Sequence, residues 1–174
     1  MLETELLIKR AKQGDKEALL KLIMDQEQDY YRLAYTYMRN EDDALDALED
    51  MIVIIYEKIQ SLKKEKSFYS WSKTILVNRC KKLLKDKKKI VSMDFIEERA
   101  CLGGLEGKEE TMLIEEHLTK LNKKHQEVIR LHYYLDYDYQ TISQLLHIPL
   151  GTVKSRMSIG IKKLKESLGG GFHE

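Results

Sequence analysis

The run Asp138-Tyr139-Gln140-Thr141-Ile142-Ser143-Gln144-Leu145-Leu146-His147-Ile148-Pro149-Leu150-Gly151-Thr152-Val153 carries helix signals at both ends and one break in the middle. Asp138 offers the short carboxylate of an N-cap and predicts a short helix from Tyr139 to Leu146. Pro149 lacks a backbone N–H and restricts the residue before it, so that helix must stop within His147-Ile148-Pro149. A proline is equally well placed just ahead of a new helix, which the apolar spacing carries from Leu150 toward Leu168. A short helix, a tight turn and a longer helix make a helix-turn-helix.

At about 100° per residue, Val153, Met157, Ile161, Leu164 and Leu168 share the face of the longer helix that must be buried. Opposite them lie Gly151, Ser155, Ser158 and Lys162, with Lys154 and Ile159 on the flanks and Thr152 near the helix start. Small polar and basic side chains there suit a DNA major groove, where amides and Lys engage phosphates and Ser or Lys reach base edges. Arg156 falls nearer the buried face and is expected to contact phosphate or to pack. A merely solvated helix face would carry the same residues; the short helix and turn ahead of it favour DNA. Gly160 is expected to weaken the helix interior by roughly 1 kcal/mol relative to Ala.

Upstream, apolar residues recur at helical spacing through Met112, Leu113, Leu118 and Leu121, and again through Val128, Ile129, Leu131 and Tyr133. Between Asp86 and Lys108 the periodicity fails, and Gly103, Gly104 and Gly107 cluster. This predicts a flexible linker over 89–109 between an N-terminal domain, 1–88, and a C-terminal domain, 110–170. In the N-terminal half one helix is expected near Leu6 to Ala11. A second, capped by Asp15, runs through Leu19, Leu22, Ile23, Tyr30, Leu33, Ala34 and Tyr37. Asn40 caps a third, with stripe Leu45, Leu48, Ile52, Ile55 and Ile59; a fourth starts near Ser70 and aligns Trp71, Ile75, Leu76, Arg79, Cys80, Leu83 and Leu84. With one Pro and nine Gly in 174 residues, the chain lacks the turn punctuation of a many-stranded fold, and we expect an all-α protein of two small helical domains.

Lys+Arg number 30 and Asp+Glu 29, a balance that hides segregation. Glu41, Asp42, Asp43, Asp46, Glu49 and Asp50 fall together without a basic residue among them. Asp46, Glu49 and Asp50, at i, i+3 and i+4, would form one anionic face that repels DNA and attracts a basic protein surface. Lys81, Lys82, Lys85, Lys87, Lys88 and Lys89 follow the aromatics Phe68, Tyr69 and Trp71, a pairing that suits unpaired nucleic acid, since bases stack on rings while ammonium groups neutralise phosphate. By itself that segment reads first as a solvated helix end beside a core Trp, and only second as a nucleic-acid surface.

No stretch approaches the roughly 18 apolar residues of a membrane span, and Met1-Leu2-Glu3-Thr4-Glu5 lacks the order of a signal peptide; a cytoplasmic chain that is not itself a membrane protein is expected. Cys80 and Cys101 stand alone, and the five His show no paired-ligand spacing, so no metal or cofactor is expected. Without GxSxG, a P-loop or GxGxxG, the chain reads as a non-enzyme with no catalytic residue.

The residues Ile148-Pro149-Leu150-Gly151-Thr152-Val153-Lys154-Ser155-Arg156 with Lys162-Lys163-Leu164 resemble the region 4 helix-turn-helix of bacterial sigma-70-type initiation factors. LuxR-type regulators share a related pattern. Asp43-Ala44-Leu45-Asp46-Ala47-Leu48-Glu49-Asp50, then Tyr56, Phe68-Tyr69-Ser70-Trp71, Ile75 and Asn78 resemble sigma region 2 in order and spacing, and the whole is similar to the compact extracytoplasmic-function (ECF) subgroup. The resemblance implies a factor that binds core RNA polymerase, through its beta-prime and beta subunits, and directs it to promoters. Asp46, Glu49 and Asp50 would contact the beta-prime coiled coil. Phe68, Tyr69, Ser70, Trp71, Asn78, Lys81, Lys82 and Lys85 would engage the minus-ten element and capture an unpaired base. Thr152, Lys154, Ser155, Arg156, Ser158 and Lys162 would meet the minus-thirty-five element. An anti-sigma factor is implied as a further partner. The family commonly carries an aromatic or basic residue and then Arg after Met157, where this chain has Ser158-Ile159-Gly160. A stand-alone helix-turn-helix regulator is the alternative.

Overall fold

A computed structural model describes residues 2–91 and 109–169, and all of the regular structure in them is helical. The chain divides into two compact units, one on each side of residues 92–108. The linker expected over 89–109 therefore falls largely outside the described residues.

The N-terminal unit holds α1 (Leu2–Lys12), α2 (Lys16–Met24), α3 (Glu27–Met38), α4 (Glu41–Lys58) and α5 (Phe68–Val91). Single 3-10 turns at Ile59–Ser61 and Glu65–Ser67 join α4 to α5. The predicted caps are in place: the Asp15 carboxylate accepts from the Ala18 N–H at 3.1 Å, and Asn40 Oδ1 from the Asp43 N–H at 2.8 Å. The expected single helix from Asp15 to Tyr37 is instead two, broken at Asp25 and Gln26, because its halves bury different faces. Leu19, Leu22 and Ile23 of α2 pack toward α1, whereas Tyr30, Leu33, Ala34 and Met38 of α3 pack toward α4 and α5. Met38, not Tyr37, closes that stripe.

The stripe expected on α4 is also shifted. Ala44, Ala47, Met51 and Ile55 are buried, while Leu45 is 43% exposed and Leu48 and Ile52 are only partly covered. The small Ala side chains let α4 lie close to its neighbours. In α5, Phe68 is fully buried, and Ser72, Leu76, Val77 and Cys80 form the inner face, so Ile75, Leu83 and Leu84 are only partly covered. Ser72 donates to the Tyr69 carbonyl at 3.0 Å, which leaves its oxygen to accept from the Tyr30 hydroxyl at 2.7 Å and ties α3 to α5.

The C-terminal unit comprises α6 (Glu109–Thr119), α7 (Lys123–Tyr133), α8 (Tyr139–Leu146) and α9 (Leu150–Gly169) around Leu118, Val128, Leu131, Ile142 and Val153, each at most 1% exposed. Met112 and Leu113, expected inside, are exposed; Glu115 takes the inner position. Its carboxylate receives Arg130 at 2.5 Å and the Tyr134 hydroxyl at 2.7 Å, so this buried charge is paired and hydrogen-bonded.

Candidate functional site

Local hydrogen bonds build the helix-turn-helix. Asp138 accepts from the Thr141 N–H at 2.7 Å and starts α8. His147 takes the left-handed conformation (φ 52°) that ends it, a role more often given to Gly. Ser143 clamps the turn from both sides: its carbonyl accepts the Ile148 N–H at 3.2 Å, and its hydroxyl donates to the Ile148 carbonyl at 2.6 Å. Pro149 then leads into α9.

On α9, Val153 and Met157 are buried, and Lys154, Ser155, Ser158 and Lys162 are exposed together as the wheel required; Thr152 is half-buried at the helix start. Arg156 is half-buried on the flank facing α7, where it and Lys163 act on the His125 ring. Burial, and then these two cations, pushes the His125 pKa down. Gly160, expected to be a weak point, is buried because α7 passes there: a Cβ would lie 2.9 Å from Ile129 Cδ1 and 3.1 Å from His125 Cβ.

In the N-terminal unit, Asp46 and Glu49 are exposed on α4, whereas Asp50 is half-buried and receives Arg79 Nε of α5 at 2.6 Å. Asp43 is likewise engaged by Lys87 and Asn40, which hold its carboxyl below the usual range against the opposing effect of burial. The acidic half of α4 thus lies against the basic half of α5. At helical spacing, Leu45, Asp46, Glu49, Ile52, Val53 and Tyr56 share one outer face, so the carboxylates are set among apolar side chains, of which Leu45 and Ile52 were expected in the core.

The segment around α5 sorts its aromatics. Phe68, with no exposed surface, is a core residue and offers no stacking face. Tyr69 is half-buried, its hydroxyl 3.5 Å from the Leu22 carbonyl. Trp71, half-buried, shares one side of α5 with Asn78, Lys82 and Lys85, all three exposed, at spacings that return to the same face. Ser70 and Lys81 are exposed on the adjoining side. Trp71, Asn78, Lys82 and Lys85 are therefore brought together; Phe68 is not. Among the described residues no His, Cys, Asp and Glu cluster could hold a metal ion, and no helix is long and apolar enough to cross a membrane.

A helix-turn-helix unit is thus joined in one chain to a helical unit with an acidic-apolar face and a Trp-Lys face. Comparison with known proteins gives the family. The model for Sigma-70 region 2 matches residues 22–90, and that for Sigma-70, region 4, matches residues 111–164. RNA polymerase sigma factor SigV of Bacillus subtilis is 29% identical over 91% of this chain and 96% of its own length. The ECF RNA polymerase sigma factor SigW of the same organism is 26% identical over 92% and 94%. Among solved structures, the sigma factor RpoE in complex with the anti-sigma factor NepR from Bartonella quintana has the same fold, with a TM-score of 0.66 at 22% identity over 86% of this chain and 95% of that one. The chain belongs to the sigma-70 family of RNA polymerase sigma factors, and the relatives it resembles include a member of the ECF subgroup.

Proposed function

We propose that this chain works as a cytoplasmic, non-enzymatic initiation factor without a cofactor: it docks on core RNA polymerase and directs it to promoters through both units. The observation that supports this reading is the co-occurrence, on one chain, of the α4 outer face, the Trp71 face of α5 and the α9 face behind a clamped turn. Asp46 and Glu49, ringed by Leu45, Val53 and Tyr56, suit the basic surface of a beta-prime coiled coil: apolar contact gives affinity and the carboxylates give orientation. Asp50 takes part through Arg79 rather than as a bare charge. Trp71 supplies the ring on which an unpaired minus-ten base stacks, while Asn78, Ser70 and the nearby Lys81, Lys82 and Lys85 meet base edge and phosphate. Melting then follows from capture of bases once they unpair. Thr152, Lys154, Ser155, Ser158 and Lys162 meet the minus-thirty-five element, with Arg156 at its margin. An anti-sigma factor would hold the chain inactive, as the RpoE complex with NepR suggests by analogy of fold.

A stand-alone regulator would leave the α4 face without a purpose, and the region 2 match does not favour it. Binding of the full chain to core RNA polymerase decides between them. We expect a stable complex that Asp46→Lys with Glu49→Lys weakens at least about tenfold, through charge repulsion at the interface. An unchanged affinity in the double variant would remove α4 as the docking face.

A further inference from the structure

The connection from α4 to α5, residues 59–67, has little packing of its own: of its side chains only Ile59 and Leu62 are buried. Its internal hydrogen bonds are local, from the Ser61 hydroxyl to the Lys58 carbonyl at 2.6 Å, from the Leu62 N–H to Ile59 at 3.1 Å and from the Ser67 N–H to Lys64 at 3.0 Å. Yet this connection sets where α5 begins. The Phe68 N–H donates to the Glu65 carbonyl, and the Ser70 hydroxyl to the Ser67 carbonyl at 3.2 Å. The first turn of α5, which carries Ser70 and Trp71, therefore hangs from Glu65 and Ser67.

The last residue of α1, Lys12, holds the connection from outside. Its carbonyl is one of those that a helix C-terminus leaves without an internal partner, and it accepts from Gln60 Nε2. Its ammonium lies 3.6 Å from Glu65 Oε1, with 21% and 32% of the two side chains exposed. The Glu65 carboxyl is kept below its ordinary range first by its own backbone N–H and then, against the opposing effect of burial, by Lys12 and Lys9. One residue thus grips both 3-10 segments, at Gln60 and at Glu65, and α1 packs on both. The grip comes from outside residues 22–90, which the Sigma-70 region 2 model matches.

We propose that Lys12 is a positioning residue for minus-ten recognition: by holding Gln60 and Glu65 it fixes the first turn of α5, and so the angle at which Ser70 and Trp71 receive an unpaired base. The proposal rests on the reading of α5 as the base-capturing helix. Stacking and edge hydrogen bonds need their groups held within about 0.5 Å, a tolerance that a connection with two buried side chains does not supply alone. An ion pair this exposed contributes little to folding, so its loss acts on placement more than on stability. The same weakness limits the effect to about threefold in base preference.

The test is selection by core RNA polymerase carrying the full-length chain from a pool of single-stranded DNA of random sequence, about 12 bases long, with the bound fraction sequenced. The wild-type chain should enrich particular bases, and Trp71→Ala should flatten that preference. Lys12→Ala should lower the enrichment about threefold while the melting temperature and the amount of chain bound to polymerase stay at the wild-type level. Lys12→Arg keeps the charge, and Lys12→Glu with Glu65→Lys restores the pair with its signs reversed; both should recover the preference. A Lys12 that touched phosphate itself would not be rescued by the reversed pair. Unchanged enrichment with Lys12→Ala, a loss that comes with a lower melting temperature, or no recovery in the reversed pair would overturn the proposal. If Trp71→Ala flattens the preference and Lys12→Ala does not, the reading of α5 stands and the positioning role fails; if the wild-type chain enriches no base, both fail.

Discussion

A methyl group at position 160 would collide with the α7 helix, 2.9 Å from Ile129 Cδ1 and 3.1 Å from His125 Cβ. The Ile129 contact can yield, being the end of a flexible side chain, but the His125 Cβ is fixed to its backbone. Overpacking of this kind costs ~1 to 3 kcal/mol, against ~1 kcal/mol gained by replacing Gly with Ala inside a helix. Gly160→Ala should therefore lower the melting temperature of the C-terminal unit by a few degrees; a rise would mean that α7 can move aside. The same contact bears on pH. His125 Nδ1 is buried without a hydrogen-bond partner among the described residues, and the His125 pKa is lowered by burial and by Lys163 and Arg156. A depressed folded-state value means that the unfolded chain binds the proton more readily, so the stability is fully present above the unfolded His value near ~6.5 and is lost as pH falls through the lower folded value. Thermal melts from about pH 7 to about pH 5 should show this decline, and His125→Leu should flatten it. An equal decline in the variant would place the titrating group elsewhere.

At the scale of elements, α5 carries aromatics of opposite kinds only three residues apart. Phe68→Ala should cost ~3 to 5 kcal/mol, because it empties a fully buried site. Trp71→Ala should cost much less stability and instead reduce promoter opening, read by permanganate reactivity of unpaired thymines. Equal loss of stability in both would return Trp71 to the core. These two residues show what periodicity can and cannot resolve. The helix-turn-helix was legible because its signals are local: Asp138 caps, Pro149 interrupts, and Val153 and Met157 mark the inner face. The inner face of α4 was not, since Ala44 and Ala47 carry too little apolar surface to outweigh Leu45 and Ile52 in a sequence pattern, although their smallness is what permits close packing. The break at Asp25 and Gln26 goes with the packing of α2 and α3 on different helices, and Glu115 pairs with Arg130 across 15 residues, neither of which local spacing records.

At the scale of the molecule, the near-zero net charge is an average over segregated acidic and basic surfaces. Some of that cancellation is internal: Asp43 with Lys87 and Asp50 with Arg79 close the N-terminal unit on itself. The charges that stay outward include Glu41, Asp42, Asp46 and Glu49 on α4, Lys81, Lys82, Lys85 and Lys88 on α5, and Lys154, Lys162, Lys163 and Lys165 on α9. Of the residues given site roles from the sequence, Phe68 lies in the core and Asp50 is held by Arg79. The most direct test is multi-round transcription in vitro by core RNA polymerase on a pool of genomic promoter fragments, with and without the full-length chain. The account predicts discrete transcripts that appear only with the chain, diminish with Trp71→Ala and vanish with Asp46→Lys/Glu49→Lys. No chain-dependent transcript from any fragment, or transcripts indifferent to the α4 double variant, would contradict it.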